Sequence, residues 1–166
     1  MDFSWGLEEI GGSAFRECTS LTNVQLGGRL VKIGEEAFRQ CTSLPAIIIP
    51  PLVKTIPRSA CENCTSLMDV HLPVDLEDIK VQAFMDCSSL PSIIVPQLVK
   101  FIQGWTFADC SQLTRVELPH GLEEICMAAF IRCTSLQSVI IPPLVTAIDE
   151  MAFRNCTSLE NVDLPQ

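Results

Sequence analysis

Phenylalanine recurs at Phe15, Phe38, Phe84, Phe107, Phe130 and Phe153, on a grid of 23 residues whose remaining point is held by Cys61. Three places behind each grid point stands a cysteine: Cys18, Cys41, Cys64, Cys87, Cys110, Cys133 and Cys156. Ile10, Ile33, Ile56, Ile79, Ile102, Ile125 and Ile148 keep the same step, as do Leu21, Leu44, Leu67, Leu90, Leu113, Leu136 and Leu159. No insertion or deletion interrupts the grid. A single 23-residue unit has too little apolar surface to fold alone. Stacked units place each column against its own copy and so build a continuous core. The columns therefore name the buried residues directly.

Each unit divides into three parts. In Leu21-x-x-Val24-x-Leu26, strand alternation puts Val24 and Leu26 on one face and Asn23 and Gln25 on the other. Proline then recurs at Pro50, Pro73, Pro96, Pro119, Pro142 and Pro165 and, lacking an N–H, should end the strand. Next come Leu30-x-x-Ile33 and Gly34–Cys41, where small Ala37 beside Phe38, flanked by Glu and Arg, predicts one or two helical turns half-buried through the phenylalanine. The Thr-Ser pair after the cysteine offers hydroxyls to turn amides.

The pattern LxxVxLPxxLxxIxxxAFxxCxSL resembles the BspA-type leucine-rich repeat family over almost the whole chain. The resemblance implies an α/β fold: a right-handed solenoid of seven 23-residue coils, with a parallel sheet on one face and short helical turns on the other. Residues 1–166 then form one domain, read as a segment of a longer array. Members of that family are mostly surface or secreted proteins that bind other molecules, and they share no catalytic residues to carry over.

Bulk properties narrow the partners. The net charge is −9 and no run of Lys or Arg exists, which disfavours nucleic acid. No apolar stretch approaches the ~18 residues of a membrane span, so no membrane insertion is expected. The start, MDFSWGLEEI, has neither a basic n-region nor an apolar h-region, so no signal peptide is visible. The compartment stays open: cell surface or secreted for a fragment of a longer protein, cytoplasmic otherwise.

The cysteine column reads as a reduced, buried ladder, since free Cys packs as a small hydrophobe with a weak donor. Cys61-x-x-Cys64 matches a redox or half-zinc motif, yet it arises wherever a cysteine takes the phenylalanine slot, and no second CxxC accompanies it. Cys126 takes a position held by Gly11 or Gly34 and is expected to be partly exposed. Asn63-Cys64-Thr65 and Asn155-Cys156-Thr157 match the glycosylation pattern because the C-T-S column follows an asparagine. His71 and His120 lie in different coils, and no nucleophile has an adjacent base with an orienting group, so neither catalysis, metal nor cofactor is expected. Lys54, Glu77, Lys100 and Glu123 share one column, the pattern of stacked opposite charges.

A second, double period points to function. The outward residue between the two buried strand positions reads Gln25, Ile48, His71, Ile94, Glu117, Ile140, Asp163, alternating polar with isoleucine. Leu52, Leu98 and Leu144 fall in the same coils as the isoleucines. The reading is a non-catalytic scaffold that binds a protein partner on its strand face. Ile48, Ile94 and Ile140 form the apolar stripe, and Gln25, Asp69, His71, Ser92, Arg115, Glu117 and Ser138 set specificity. The alternative is a structural spacer with no binding site, its isoleucines merely suiting a strand. Neither end carries a clear polar cap, and Phe3 falls on the grid as the end of a preceding strand, so self-association through open edges is a further expectation. Trp105 is expected on the helical side, packed locally and partly exposed.

Overall fold

The structure is a computed structural model and describes residues 6–164; Phe3 and Pro165, assigned by the grid to strand ends, lie outside the described residues. Along the chain the strands are β1 (Glu9–Ile10), β2 (Lys32–Ile33), β3 (Ala46–Ile48), β4 (Thr55–Ile56), β5 (Asp69–His71), β6 (Asp78–Ile79), β7 (Ser92–Ile94), β8 (Phe101–Ile102), β9 (Arg115–Glu117), β10 (Glu124–Ile125), β11 (Ser138–Ile140), β12 (Ala147–Ile148) and β13 (Asn161–Asp163). The short strands carry the isoleucine column and stack along one side, as in Ile10 opposite Ile33 and Ile102 opposite Ile125. The longer strands stack along another, as in Ile47 opposite Val70 and Ile93 opposite Val116. Every pairing is parallel, and partners are one repeat apart. The coil is therefore the repeat, laid directly on its neighbour.

The expected α/β class and its short helical turns are not found. Among the described residues there is no helix, and the fold is a parallel β-solenoid. Two physical reasons stand out. First, the side predicted to be helical advances by the same small step as the strands: Phe15 and Phe38 have ring centroids 5.4 Å apart and Phe130 and Phe153 5.2 Å apart. Packed helices need axes about 8–10 Å apart, against about 4.8 Å for strands. Second, two residues per coil adopt left-handed backbone, for example Glu36 (φ 57°) with Gln40 (φ 61°) and Trp105 (φ 55°) with Asp109 (φ 61°). Such residues stop a right-handed helix and turn alternate amides outward along the stack. The Glu36, Phe38 and Gln40 N–H groups donate to the Arg58, Ala60 and Glu62 carbonyls of the next coil at 3.0, 2.9 and 2.8 Å. The intervening Ala37, Arg39 and Cys41 N–H groups donate back three residues within their own coil, at 3.1–3.2 Å. Small Ala37 beside Phe38 thus marks a tight ladder of turns, in which the alanine is buried and leaves room for the neighbouring coil.

The core follows the columns. Phe38, Phe84, Phe107 and Phe130 are fully buried, as are Leu44, Leu67, Leu90, Leu113 and Leu136, each such side chain contributing about 1.5–3 kcal/mol. Cys61 is buried within the phenylalanine row, between Phe38 and Phe84, as the grid requires. In the first and last coils Phe15, Cys18, Leu21, Phe153, Cys156 and Leu159 are only half-buried.

All nine cysteines are free, and Cys41, Cys64, Cys87, Cys110 and Cys133 are buried. The column has a job beyond filling space. Each thiol from Cys41 to Cys156 donates to the carbonyl of the grid residue one coil back, at 3.1–3.2 Å. Burial raises the Cys41 thiol to about 12 and also pushes Cys87, Cys110, Cys133 and Cys156 upward. Cys61 is raised first by its hydrogen bond with the Cys64 side chain and then by burial. These sulfurs are neutral donors, and the sealed CxxC has no activating cation beside it among the causes that move Cys61.

Smaller expectations are resolved as well. Lys100 meets Glu123 at 3.4 Å, as the charge column implies, but Lys54 reaches Asp75 at 3.5 Å instead of Glu77. Trp105 is partly exposed and packs with Met85 over a small outer cluster of Ala108, Ala128 and Ile131. Cys126 is partly exposed. Of the two sequon asparagines, Asn155 is exposed and Asn63 partly buried.

Candidate functional site

The long strands β3 to β13 present the second, polar-and-isoleucine column to solvent. Ile48, Ile94 and Ile140 are 65%, 64% and 69% exposed, unusual for so large an apolar side chain. Alternation forces this: in β7 the neighbours Ile93 and Val95 face the core, so Ile94 faces out. Leu52, Leu98 and Leu144 are exposed beside them. Gln25, Asp69, His71, Ser92, Arg115, Glu117 and Ser138 are all exposed too. Register sets each isoleucine against a polar partner: Ile48 opposite His71, Ile94 opposite Glu117, Ile140 opposite Asp163.

This face is not one continuous sheet. β3 pairs with β5, β7 with β9 and β11 with β13, whereas among the described residues no ladder joins β5 to β7 or β9 to β11. The strand pairing thus repeats every two coils, like the isoleucines. Within a pair, the Met68 N–H donates to the Pro45 carbonyl at 2.8 Å and the Thr114 N–H to the Pro91 carbonyl at 2.9 Å. Between β5 and β7 the equivalent donor would be residue 91, a proline without an N–H. Pro45 and Pro91 are the signal that sequence reading passed over; at β11 the same place is Gln137, and no proline explains that opening.

Each opening is a groove of about 380 Å³. The first gathers Asp69, His71, Val74, Ser92, Ile94 and Gln97. The second gathers Arg115, Glu117, His120, Ser138, Ile140 and Pro143. Each groove therefore has a paired basic and acidic side chain on one wall and a Ser-x-Ile wall opposite. The pairs are made within single strands: the His71 ring nitrogen lies 2.9 Å from the Asp69 carboxylate, and Arg115 donates to Glu117 at 2.8 Å. Exposed pairs of this kind orient side chains more than they stabilise the fold. Ile48 shares a shallower cleft with His71 and Val74, and Gln25 lies apart from all three hollows. Val74, 82% exposed, and His120 join the grooves without having been singled out in the sequence.

Elsewhere, Glu124, Cys126 and Asp149 bring ligand-type atoms within 4.8 Å of one another. Burial first, then the Glu124 charge, raises the Cys126 thiol to about 11. At neutral pH that sulfur is protonated, which works against thiolate ligation.

The comparisons with known proteins agree with this architecture. The family model described as "BspA type Leucine rich repeat region" matches residues 1–114 and 77–166, in 6 copies. Among curated proteins no relative matches. A leucine-rich repeat protein from Bacteroides ovatus is similar in structure at TM-score 0.93 and 34% identity, over 96% of this chain and 41% of its own. A leucine rich cell surface protein from Faecalibacterium prausnitzii follows at TM-score 0.85 and 33% identity, over 94% and 42%. The T. pallidum leucine-rich repeat protein gives TM-score 0.76 and 31% identity, over 82% and 64%. The chain thus spans less than half the length of the first two. With its repeat, its solenoid and these matches in accord, the chain belongs to the BspA-type leucine-rich repeat family.

Proposed function

We propose that this chain is a non-catalytic recognition scaffold that docks a protein partner on the long-strand face, through Ile48, Ile94 and Ile140. The observation carrying this reading is the exposure of all three isoleucines, each about two-thirds open, on a face that also carries two grooves. An apolar row rimmed by polar groups is the usual mark of an interaction surface. Asp69, His71, Ser92, Arg115, Glu117 and Ser138 line the grooves and would select among partners; Gln25 would act only at the edge. The test is partner capture with Ile48, Ile94 and Ile140 replaced by serine. Loss of capture with an unchanged melting curve supports the reading, and unaltered capture removes the stripe as the site.

A spacer role is favoured by one observation, the chain's coverage of only 41% and 42% of two similar proteins. On that reading residues 1–166 are part of a longer array at the cell surface, by analogy with the similar leucine rich cell surface protein of Faecalibacterium prausnitzii. Capture by the isolated chain separates the two.

A further inference from the structure

The phenylalanine row is broken at one point. Phe15 stacks on Phe38 and Phe84 on Phe107, and Cys61 stands between the two stacks. Cys61 and Cys64 are both buried, so the third coil seals two thiols in its core. Their backbone fixes how far apart they stand. The Cys64 N–H donates to the Cys61 carbonyl at 3.2 Å, closing a turn whose end Cα atoms lie within about 7 Å. Disulfides join Cα atoms about 4.4–6.8 Å apart, so the pair is within reach. The side chains meet as well. The Cys61 thiol shares a hydrogen bond with the Cys64 side chain, whose own proton goes to the Phe38 carbonyl at 3.1 Å. The neighbouring ladder thiols are turned elsewhere: Cys41 donates to the Phe15 carbonyl at 3.1 Å and Cys87 to the Cys61 carbonyl at 3.2 Å.

Access comes through local opening. A cysteine in a phenylalanine slot buries less apolar surface than the rings above and below it. Among the described residues no ladder joins β5 of this coil to β7 of the next. Openings rare enough to escape brief labelling still expose both thiols, which then regain their ordinary acidity, about 8.5. We infer that Cys61 and Cys64 are a redox site, a dithiol that a low-molecular-weight disulfide oxidises to a Cys61–Cys64 disulfide when the third coil opens. One cysteine loses its proton to water, and its thiolate attacks a sulfur of the oxidant, expelling one thiolate and leaving a mixed disulfide. The second cysteine, deprotonated in turn, attacks the protein sulfur of that bond and expels the other half of the oxidant. Two S–H bonds give way to one S–S bond, and the oxidant leaves as two thiols carrying the two protons. The new bond braces the turn that leads into β5, one wall of the first groove.

The test is peptide mapping. The partly open Cys18, Cys126 and Cys156 are first alkylated in the native protein. The protein is then incubated with oxidised glutathione, unfolded, alkylated with a second reagent and cut with trypsin. Arg58 and Lys80 bracket Cys61 and Cys64, whereas Cys41 and Cys87 fall in other peptides. The expected product is the 59–80 peptide about 2 Da lighter than its reduced form, closed to alkylation at both sulfurs until dithiothreitol is added. Cys61→Phe should abolish it, and Cys87→Ser should leave it in place. A 59–80 peptide joined to the peptide of Cys41 or Cys87 overturns the inference, because the sulfurs then pair along the ladder. Glutathione held on one cysteine overturns it too, because the second sulfur is then out of reach. Retention of both thiols by the native protein also overturns it, with the urea-unfolded chain as the control for sufficient oxidant.

Discussion

The Cys133 thiol donates to the backbone carbonyl of Phe107, one coil back, at 3.1 Å. The same carbonyl accepts the Cys110 N–H at 3.3 Å, so one oxygen ties two coils together. A residue at this place must be small, apolar enough to be sealed and able to donate. Alanine meets the first two demands and valine only the second.

Replacing Cys133 by alanine is therefore expected to cost about 1–3 kcal/mol, from a lost donor and a small void. Serine keeps a donor, with a larger desolvation cost, and should retain the geometry. Urea unfolding of both variants reads the difference; an alanine variant as stable as the parent would remove the thiol's role.

Alkali should unfold this protein sharply. The Cys41 thiol is raised to about 12, and Cys61, Cys87, Cys110 and Cys133 are raised as well. A raised acid favours the fold fully below its unfolded value, about 8.5, and that contribution is lost as pH climbs from there through the folded value. Each ionising thiol of the unfolded chain adds about 1.4 kcal/mol per pH unit to the slope. The melting temperature should be level from pH 6 to about 8 and fall steeply above about 9. A level curve to pH 11 would contradict the sealed ladder.

Native thiol labelling offers an independent count. Only Cys18, Cys126 and Cys156 are even partly open, so a disulfide-exchange reagent should modify at most these three until denaturant is added, and then all nine. Rapid reaction of Cys61 or Cys64 would mean that the third coil opens readily.

Left-handed backbone predicts an unusual response to glycine. Gln40 (φ 61°) bears that conformation with a side chain, so Gln40→Gly should be near neutral or stabilising, whereas Gln40→Val should cost about 1–3 kcal/mol. At Ala37, buried and without a positive φ, glycine should be the costlier change. Thermal melts of the three variants decide this.

The phenylalanine row is stacked at 5.4 Å between Phe15 and Phe38 and at 5.8 Å between Phe84 and Phe107, and Cys61 stands in the gap. Cys61→Phe should extend the row and raise stability by roughly 1–3 kcal/mol. A clear fall in melting temperature would show that the third coil has closed around the smaller side chain.

Much of this architecture was legible beforehand because a repeat reports its own packing: Phe38, Cys41, Leu44 and Ile33 were named as core from spacing alone and are buried. The exposed isoleucines were legible for the same reason, through strand alternation at Ile47, Ile48 and Ile49. The turn side was misread. Ala37 and Phe38 look helical to local propensity, but the step between coils is imposed by the strands and leaves no width for a helix. The groove between β5 and β7 was missed because it depends on what Pro91 cannot donate, a fact about the neighbouring coil and not about its own; the one between β9 and β11 has no such mark in the sequence.

The alternation of isoleucine with polar residues has an evolutionary corollary. Gain or loss of a single coil would bring two isoleucines, or two polar residues, side by side and throw every position beyond it out of phase. Gain or loss of two coils preserves the pattern. Related arrays that keep a working surface should therefore differ in length by even numbers of coils.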